Sequence, residues 1–122
     1  EPILYGWKET NKHFWCGDRS QSDVWFVNKP VKNDLHPTMK PIELVERAIQ
    51  NSSKTKDIVL DAFGGSGSTM IASEKTGRRS RRIELDPKYV DVIVKRWEEF
   101  TGKKATLASN GQSFEELEKE RF

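Results

Sequence analysis

The chain has 122 residues, of which 34% are hydrophobic and 33% charged, and its formal net charge at pH 7 is +2. This length supports one hydrophobic core, and no apolar run approaches the roughly 20 residues that span a bilayer. The balanced charge gives no global sign of a nucleic-acid partner. A single cysteine, Cys16, excludes an internal disulfide, and two histidines are too few for a structural zinc site of the usual spacing. We therefore expect a protein of the reducing cytoplasm, without a membrane span or a metal site.

The N-terminal part of the chain is rich in aromatic residues and turn formers. Residues 3–5 and 24–27 are short apolar runs that predict two strands, arranged as a loose hairpin or as two edge strands. Pro41 then marks a helix start, and the apolar stripe that follows predicts a helix to about Gln50. Because the chain begins with Glu1 and no methionine, we expect it to be part of a longer polypeptide.

Two strands and a glycine turn are predicted in the middle of the chain. Residues 58–60 form a continuous apolar run typical of a buried parallel strand, with Asp61 at its carboxyl end. After the glycine turn, residues 64–67, a helix is predicted to Thr76 with Gly77 as its cap. Residues 83–85 predict the second strand. This order predicts a parallel pair whose carboxyl ends and glycine turn share one edge of the sheet.

The last third of the chain carries two helix signals. Asp86 followed by proline marks a helix start, and a helical period of apolar residues runs to Gly102. Ser113 and Glu116 fit a capping box for a short terminal helix. We therefore divide the chain into three parts: an aromatic β segment, residues 1–35; a cofactor-binding α/β subdomain, residues 36–105; and a tail, residues 106–122.

Glycines, Asp61 and Glu84 are expected to meet at the carboxyl edge of the sheet. A carboxylate near the end of the second strand accepts hydrogen bonds from a ribose diol, so a nucleoside-containing ligand is the first hypothesis. The turn lacks the lysine of an ATP- or GTP-binding phosphate loop, and Met70 departs from the dinucleotide fingerprint, which leaves NAD as a weaker alternative. A turn without basic side chains suits the ammonium and sulfonium of S-adenosylmethionine better. The same turn would also be explained by backbone geometry alone.

Three ordered motifs resemble those of the adenine-N6 and cytosine-N4 DNA methyltransferases. Residues 61–68, Asp-Ala-Phe-Gly-Gly-Ser-Gly-Ser, are similar to that family's Asp-Pro-Phe-x-Gly-Ser-Gly-Ser/Thr cofactor motif. Residues 36–41, His-Pro-Thr-Met-Lys-Pro, resemble its preceding motif, and residues 83–89, Ile-Glu-Leu-Asp-Pro-Lys-Tyr, resemble its acidic motif. This order resembles the β-type arrangement, and a less specific likeness extends over residues 1–105.

The resemblance implies an α/β, Rossmann-like S-adenosylmethionine-dependent methyltransferase fold that is incomplete, with only the cofactor-binding part of the sheet. S-adenosylmethionine would be the cofactor. Thr38 and Lys40 would hold its carboxylate end, and Glu84 its ribose hydroxyls. The implied cofactor-binding residues are Thr38, Lys40, Asp61, Phe63, Gly65, Gly67, Ser68 and Glu84.

The family's catalytic tetrapeptide, Asp/Ser/Asn-Pro-Pro-Tyr/Phe, does not occur in the sequence. That motif receives the flipped base, so the chain contributes no catalytic residue and is expected to be inactive alone. The intact enzyme would be a site-specific DNA methyltransferase of a restriction-modification system, with adenine N6 favoured over cytosine N4. Two departures are Ala62, where the family has proline, and Arg82, which would either crowd the sheet or turn outward.

Two other functions stay open: a non-catalytic remnant that binds a cofactor or a partner, and a nicotinamide-dependent oxidoreductase module. DNA is the expected partner of the intact enzyme. Apolar edges of an incomplete sheet predict a homodimer or a complementary upstream polypeptide. The four arginines in residues 78–82 are expected to be a solvated connection rather than phosphate contacts. The N-terminal aromatic residues are expected to pack in a core or an interface rather than to stack on bases.

Overall fold

The computed structural model describes residues 1–28 and 40–121. Its elements, in chain order, are α1 (Ile42–Ser52), β1 (Ile58–Asp61), α2 (Ser68–Lys75), β2 (Arg79–Arg82), α3 (Pro87–Thr101) and α4 (Phe114–Arg121). The two strands pair in parallel, from Ile58 opposite Arg79 to Asp61 opposite Arg82. A parallel pair needs a crossover connection, which α2 provides. The predicted α/β fold with a partial parallel sheet is confirmed.

The second strand begins at Arg79 and not at residue 83, so its predicted position is wrong. The backbone N–H of Arg79 donates to the Asp57 carbonyl at 2.8 Å, and that of Ile83 donates to the Asp61 carbonyl at 2.9 Å. Pairing with β1 therefore ends where the predicted strand would begin. Gly77, with φ of 72°, turns the chain directly from α2 into the strand. The apolar residues 83–85 suggested a strand, but the strand itself contains three arginines. Arginines are tolerated there because only one face of this sheet is covered.

The helices cover one face of the sheet. A buried cluster lies between them, with two half-buried side chains packed against it: Met70, Ile71 and Ile93, then Ile42 and Trp97. Along β1, Ile58 and Leu60 are 57% and 70% exposed, whereas Val59 is half-buried. Successive strand residues point to opposite faces, so the face that carries Ile58 and Leu60 is open. The sheet is incomplete, as predicted.

Residues 1–28 contain no strand, so both predicted N-terminal strands are wrong. A strand needs a neighbouring edge to pair with, and the segment docks on the end of α1 instead. The Cys16 N–H donates to the Asn51 carbonyl at 2.8 Å, and the side-chain amides of Gln21 and Asn51 bond to each other at 2.8 and 3.0 Å. The Arg47 guanidinium lies 4.4 Å from the ring centroid of Trp25. Trp25 therefore packs on α1, whereas Tyr5, Trp7, Phe14 and Phe26 are exposed, so a packing role for these four stays a prediction.

The predicted ends of the later helices are confirmed. The Asp86 side chain caps α3 by accepting from the Lys88 N–H at 2.9 Å, and Gly102, with φ of 70°, ends that helix. The capping box of α4 is complete, because the Ser113 N–H donates to Glu116 Oε2 at 2.8 Å and the Glu116 N–H donates to Ser113 Oγ at 3.2 Å. Local side-chain chemistry fixes these boundaries, which is why sequence alone could place them.

Candidate functional site

A cleft opens at the carboxyl ends of the two strands, where open α/β sheets bind ligands. Its volume is about 300 Å³, at the lower end for small-molecule sites. It is lined by Lys40, Val45, Asp61, Phe63, Gly64, Gly65, Ser66, Ser68, Thr69 and Glu84. The predicted cofactor residues therefore meet in one cleft, with two exceptions. Gly67 does not line the cleft, and Thr38 falls outside the described residues.

The glycine turn is held by its own hydrogen bonds and by α3. The Gly64 N–H donates to the Ile83 carbonyl at 2.8 Å, and the Gly67 N–H donates to the Gly64 carbonyl at 3.0 Å. Gly67 has φ of 90°, and a Cβ there would lie 3.3 Å from side-chain atoms of both Ile93 and Met70. Both the conformation and the packing at this position require glycine. Gly67 therefore affects the cleft by setting the shape of the turn and not by lining the cleft.

Glu84 joins the glycine turn to the segment after β2. Its Oε2 accepts from the Gly65 N–H at 2.6 Å, and its Oε1 accepts from the Asp86 N–H at 2.9 Å. These two bonds fix the Glu84 carboxylate between the glycine turn and the start of α3. Glu84 thus shapes the turn and also lines the cleft in the position where nucleotide-binding folds hold a ribose diol.

Asp61 and Phe63 form the wall that leaves β1. Asp61 Oδ1 accepts from the Phe63 N–H at 2.9 Å, which bends the chain out of the strand toward the glycine turn. The Phe63 side chain is 90% exposed. Covering this ring with a flat apolar group would remove apolar area from water and is therefore favourable. The wall combines a carboxylate with an aromatic face.

Lys40 is the basic side chain of the cleft lining and forms an ion pair with Glu1. Both side chains of this pair are solvent-accessible, at 45% and 70%. Exposed ion pairs contribute little to stability, so exchanging the Glu1 carboxylate for a ligand carboxylate costs little. Lys40 lies in the cleft lining, and its role in holding a ligand carboxylate stays a prediction of the resemblance.

Ser68 begins α2 and is only 8% exposed. Within the part of the chain that the structure describes, its Oγ is buried without a hydrogen-bond partner. Buried hydroxyls in folded proteins are nearly always hydrogen-bonded. A ligand in the cleft that Ser68 lines is one way to supply the missing bond.

Arg82 does not turn outward, which was one of the two outcomes expected for it. Its Nη1 donates to Ser80 Oγ at 2.9 Å, and the strand register is kept as far as Asp61. Burial lowers the pKa of Arg82, and the nearby carboxylates of Glu74 and Asp61 oppose that shift. The guanidinium remains charged. It supplies positive charge beside the end of β1.

Arg96, on α3, was not identified from the sequence. Its Nη1 donates to the Ser66 carbonyl at 2.7 Å and approaches Ser66 Oγ at 3.4 Å. Burial lowers its pKa, and Glu99 opposes the shift. Arg96 follows Ile93 by three residues and therefore shares the core-facing side of an amphipathic helix. A charge on that side was the available signal.

Two further features are absent from residues 1–28 and 40–121. No cluster of three or more His, Cys, Asp or Glu side chains in these ranges could hold a metal ion. The same residues include no helix that is both long and apolar enough to cross a membrane.

Comparison with known proteins gives the same assignment as the motifs. The model of the N6/N4 methyltransferase family, described as DNA methylase, matches residues 4–95. The type II methyltransferase M.HinfI from Haemophilus influenzae is 44% identical over 100 residues, which cover 75% of this chain and 28% of that protein. Curated relatives are matched over only 26 to 42% of their own lengths.

Two solved structures are similar to this chain. The M1.HpyAVI–SAM complex has a TM-score of 0.59 and 28% identity, covering 68% of this chain and 43% of that chain. PvuII DNA methyltransferase, described as cytosine-N4-specific, has a TM-score of 0.50 and 33% identity, covering 52% of this chain and 23% of that one. The cleft, the ordered motifs and the family match agree: this chain belongs to the N6/N4 DNA methylase family.

Proposed function

We propose that this chain binds S-adenosylmethionine and is the cofactor-binding part of a DNA methyltransferase that acts on an exocyclic amine. One observation carries the proposal. Asp61, the glycine turn and Glu84, which come from separate stretches of the sequence, line one cleft at the carboxyl ends of parallel strands. A relative with the same fold is described as a SAM complex.

The chemistry of the cleft fits this cofactor. Glu84 and Asp61 provide carboxylates for the ribose hydroxyls and for the positively charged methionine end, and Lys40 provides a cation for its carboxylate. Phe63 offers an exposed ring to the adenine. Ser68 offers a buried hydroxyl that has no partner among the described residues. We also place Thr38 in the carboxylate-binding set on the strength of the motif alone.

When bound, S-adenosylmethionine supplies an electrophilic methyl group on its sulfonium. This chain would hold and orient that methyl group, which is the part of the catalysis that depends on positioning. The tetrapeptide that receives the flipped base would come from outside residues 1–122, since it does not occur within them. We propose adenine N6 as the favoured amine. Cytosine N4 is the alternative, because PvuII methyltransferase is described as specific for it.

Calorimetric titration of the chain with S-adenosylmethionine tests the proposal. We expect saturable binding that weakens at least about tenfold in Glu84→Ala, because charge-assisted hydrogen bonds are lost. Asp91→Ala is the matched control, since it removes an exposed carboxylate from α3, away from the cleft lining, and should bind normally.

NAD serves as the competing ligand in the same experiment. Binding of NAD in preference to S-adenosylmethionine would favour the oxidoreductase alternative. Binding of S-adenosylmethionine without any restoration of methyl transfer by an upstream polypeptide would favour a non-catalytic remnant. No binding of either ligand would overturn the proposed function of this chain.

We further propose that the open sheet face is covered by a complementary upstream polypeptide. Exposed apolar side chains on β1 and after β2 support this surface: Ile58, Leu60, Ile83 and Leu85. The chain spans only 26 to 42% of its curated relatives, which leaves room for such a part. Mixing the chain with the upstream part of M.HinfI, then measuring copurification and methyl transfer to DNA, tests the idea. A homodimer in place of a heterodimer is the alternative result.

A cytoplasmic setting completes the proposal. The Cys16 Sγ lies 2.8 Å from the Gln50 carbonyl and 3.1 Å from the Ser53 carbonyl, at the end of α1, so its one S–H is shared between the two acceptors. These bonds require the reduced S–H form, which a reducing compartment maintains.

A further inference from the structure

We propose that Arg96 is a positioning residue of the cofactor site, holding the glycine turn in its binding shape from the side of α3. The proposal rests on the proposed function, because the turn matters as part of a cofactor cleft. It goes beyond the family motifs, since Arg96 lies in none of them.

The contact is specific to one peptide unit of the turn. Arg96 Nη1 donates to the Ser66 carbonyl at 2.7 Å. The same peptide unit carries the Gly67 N–H, which closes the turn by donating to the Gly64 carbonyl at 3.0 Å. Ser66 is 4% exposed, so water has little access to its carbonyl. Arg96 therefore fixes the plane of the peptide on which the turn closes.

Two side chains of opposite charge, Glu84 and Arg96, form hydrogen bonds to the backbone of the turn. On one side the Glu84 carboxylate accepts from the Gly65 N–H at 2.6 Å, and on the other the Arg96 guanidinium donates to the Ser66 carbonyl. Hydrogen bonds to ionised groups are stronger than neutral ones. The 64–65 and 66–67 peptide units of the turn are thus fixed by groups from two different segments, which preorganises the cleft wall.

Packing alone does not account for this arrangement. Ile93, one helical turn before Arg96, already fills the space beneath the glycines, because its side-chain atoms would lie 3.1 Å from a Cβ at Gly64 and 3.3 Å from one at Gly67. The guanidinium adds a directed bond to a backbone oxygen. Removing the guanidinium should loosen the turn while the Ile93 contact remains.

The test compares three variants of the chain. Arg96→Met keeps an apolar stem and removes the donors, and Arg96→Lys keeps the charge with a single ammonium. Lys95→Met is the matched control, because Lys95 is exposed and pairs with Glu118 at 2.8 Å, away from the cleft. Backbone amide hydrogen exchange is measured first on the unliganded chain, and calorimetry then gives the dissociation constant for S-adenosylmethionine.

We expect Arg96→Met to speed exchange of the Gly67 amide at least about tenfold, a loss typical of a charge-assisted hydrogen bond. Exchange in α1 should stay unchanged, which separates a loosened turn from general unfolding. The dissociation constant should rise about tenfold, Arg96→Lys should recover part of both effects, and Lys95→Met should show neither.

The failure of this inference differs from the failure of the proposed function. Normal exchange at Gly67 in Arg96→Met, or loss of protection in α1 to the same degree, would overturn the positioning role. A wild-type chain that binds no S-adenosylmethionine would overturn the proposed function, whatever the exchange data show.

Discussion

At the scale of single residues, Gly67 joins backbone conformation to packing. Its φ of 90° is in the left-handed region, and a Cβ would lie 3.3 Å from both Ile93 and Met70. We predict that Gly67→Ala lowers the free energy of unfolding by about 2–4 kcal/mol, as the sum of left-handed strain and crowding in the core. Urea unfolding monitored by circular dichroism measures this loss.

Gly111 supplies the control for that prediction. It has φ of 75°, but a Cβ at this position would meet no atom within 4 Å, so Gly111→Ala should cost only about 1 kcal/mol of conformational strain. Equal losses in the two alanine variants would show that contact with Ile93 and Met70 contributes nothing to the requirement for glycine in the turn.

The candidate site was largely predictable because its residues come in contiguous motifs. Asp61, the glycines and Glu84 could be placed together once a parallel pair was predicted, since both strands end at one edge. Arg96 was harder to find, because its partner is a backbone carbonyl thirty positions away and its sequence signal is a single charge on the core-facing side of α3. A contact with a residue distant in sequence likewise hides Gly17, where a Cβ would lie 2.0 Å from the side-chain Oδ1 of Asn51.

At the scale of elements, helices were predicted better than strands. Helix ends are fixed by local contacts: the Asp86 cap, Gly102 and the capping box at Ser113. Because the interacting residues are neighbours in the chain, the sequence alone predicts them. Strands depend on partners. β2 is placed by its register with β1. Residues 3–5 and 24–27 stay out of the sheet, and Trp25 packs against Arg47 of α1 instead. A run of apolar residues alone could predict neither the position of β2 nor the absence of the N-terminal strands.

The capping box of α4 should make this helix sensitive to acid. The Ser113 backbone N–H, followed by its hydroxyl, lowers the pKa of Glu116 below its ordinary value of 4.5. A carboxyl whose pKa is lowered by folding stabilises the fold above its unfolded pKa and loses that effect as the pH falls through the folded value. We therefore predict that α4 frays below about pH 4.5.

Amide chemical shifts of Ser113 and of α4, followed from pH 7 to pH 2, measure this fraying. In Glu116→Gln the neutral amide cannot titrate, so the pH response of the Ser113 amide should flatten, while α3 remains as in the wild type. An unchanged titration of that amide in Glu116→Gln would mean that another carboxylate controls the end of this helix.

At the scale of the whole molecule, helices cover only one face of the two-stranded sheet. Helices pack on one face, whereas Ile58, Leu60 and the side chains of Arg79 and Arg81 lie on the other. An exposed apolar patch bordered by cations is typical of a surface that another protein part covers. The short lengths of β1 and β2 and the arginines beside them limit uncontrolled edge pairing. The candidate cleft lies at the carboxyl end of this sheet, so a polypeptide that covered the open face would also border the cleft.

Substitution of Leu60 tests whether this face drives association. Leu60 is 70% exposed, so Leu60→Glu should change the free energy of unfolding by less than about 0.5 kcal/mol, and the new carboxylate would stand opposite Arg81 in the strand register. Its charge on the open face should nevertheless oppose burial against another apolar surface. We predict that the wild-type chain self-associates at high concentration in sedimentation velocity experiments and that Leu60→Glu stays monomeric. Val90→Glu, on α3 and 39% exposed, should associate like the wild type. If both variants lose association equally, general charge repulsion and not the open sheet face controls it.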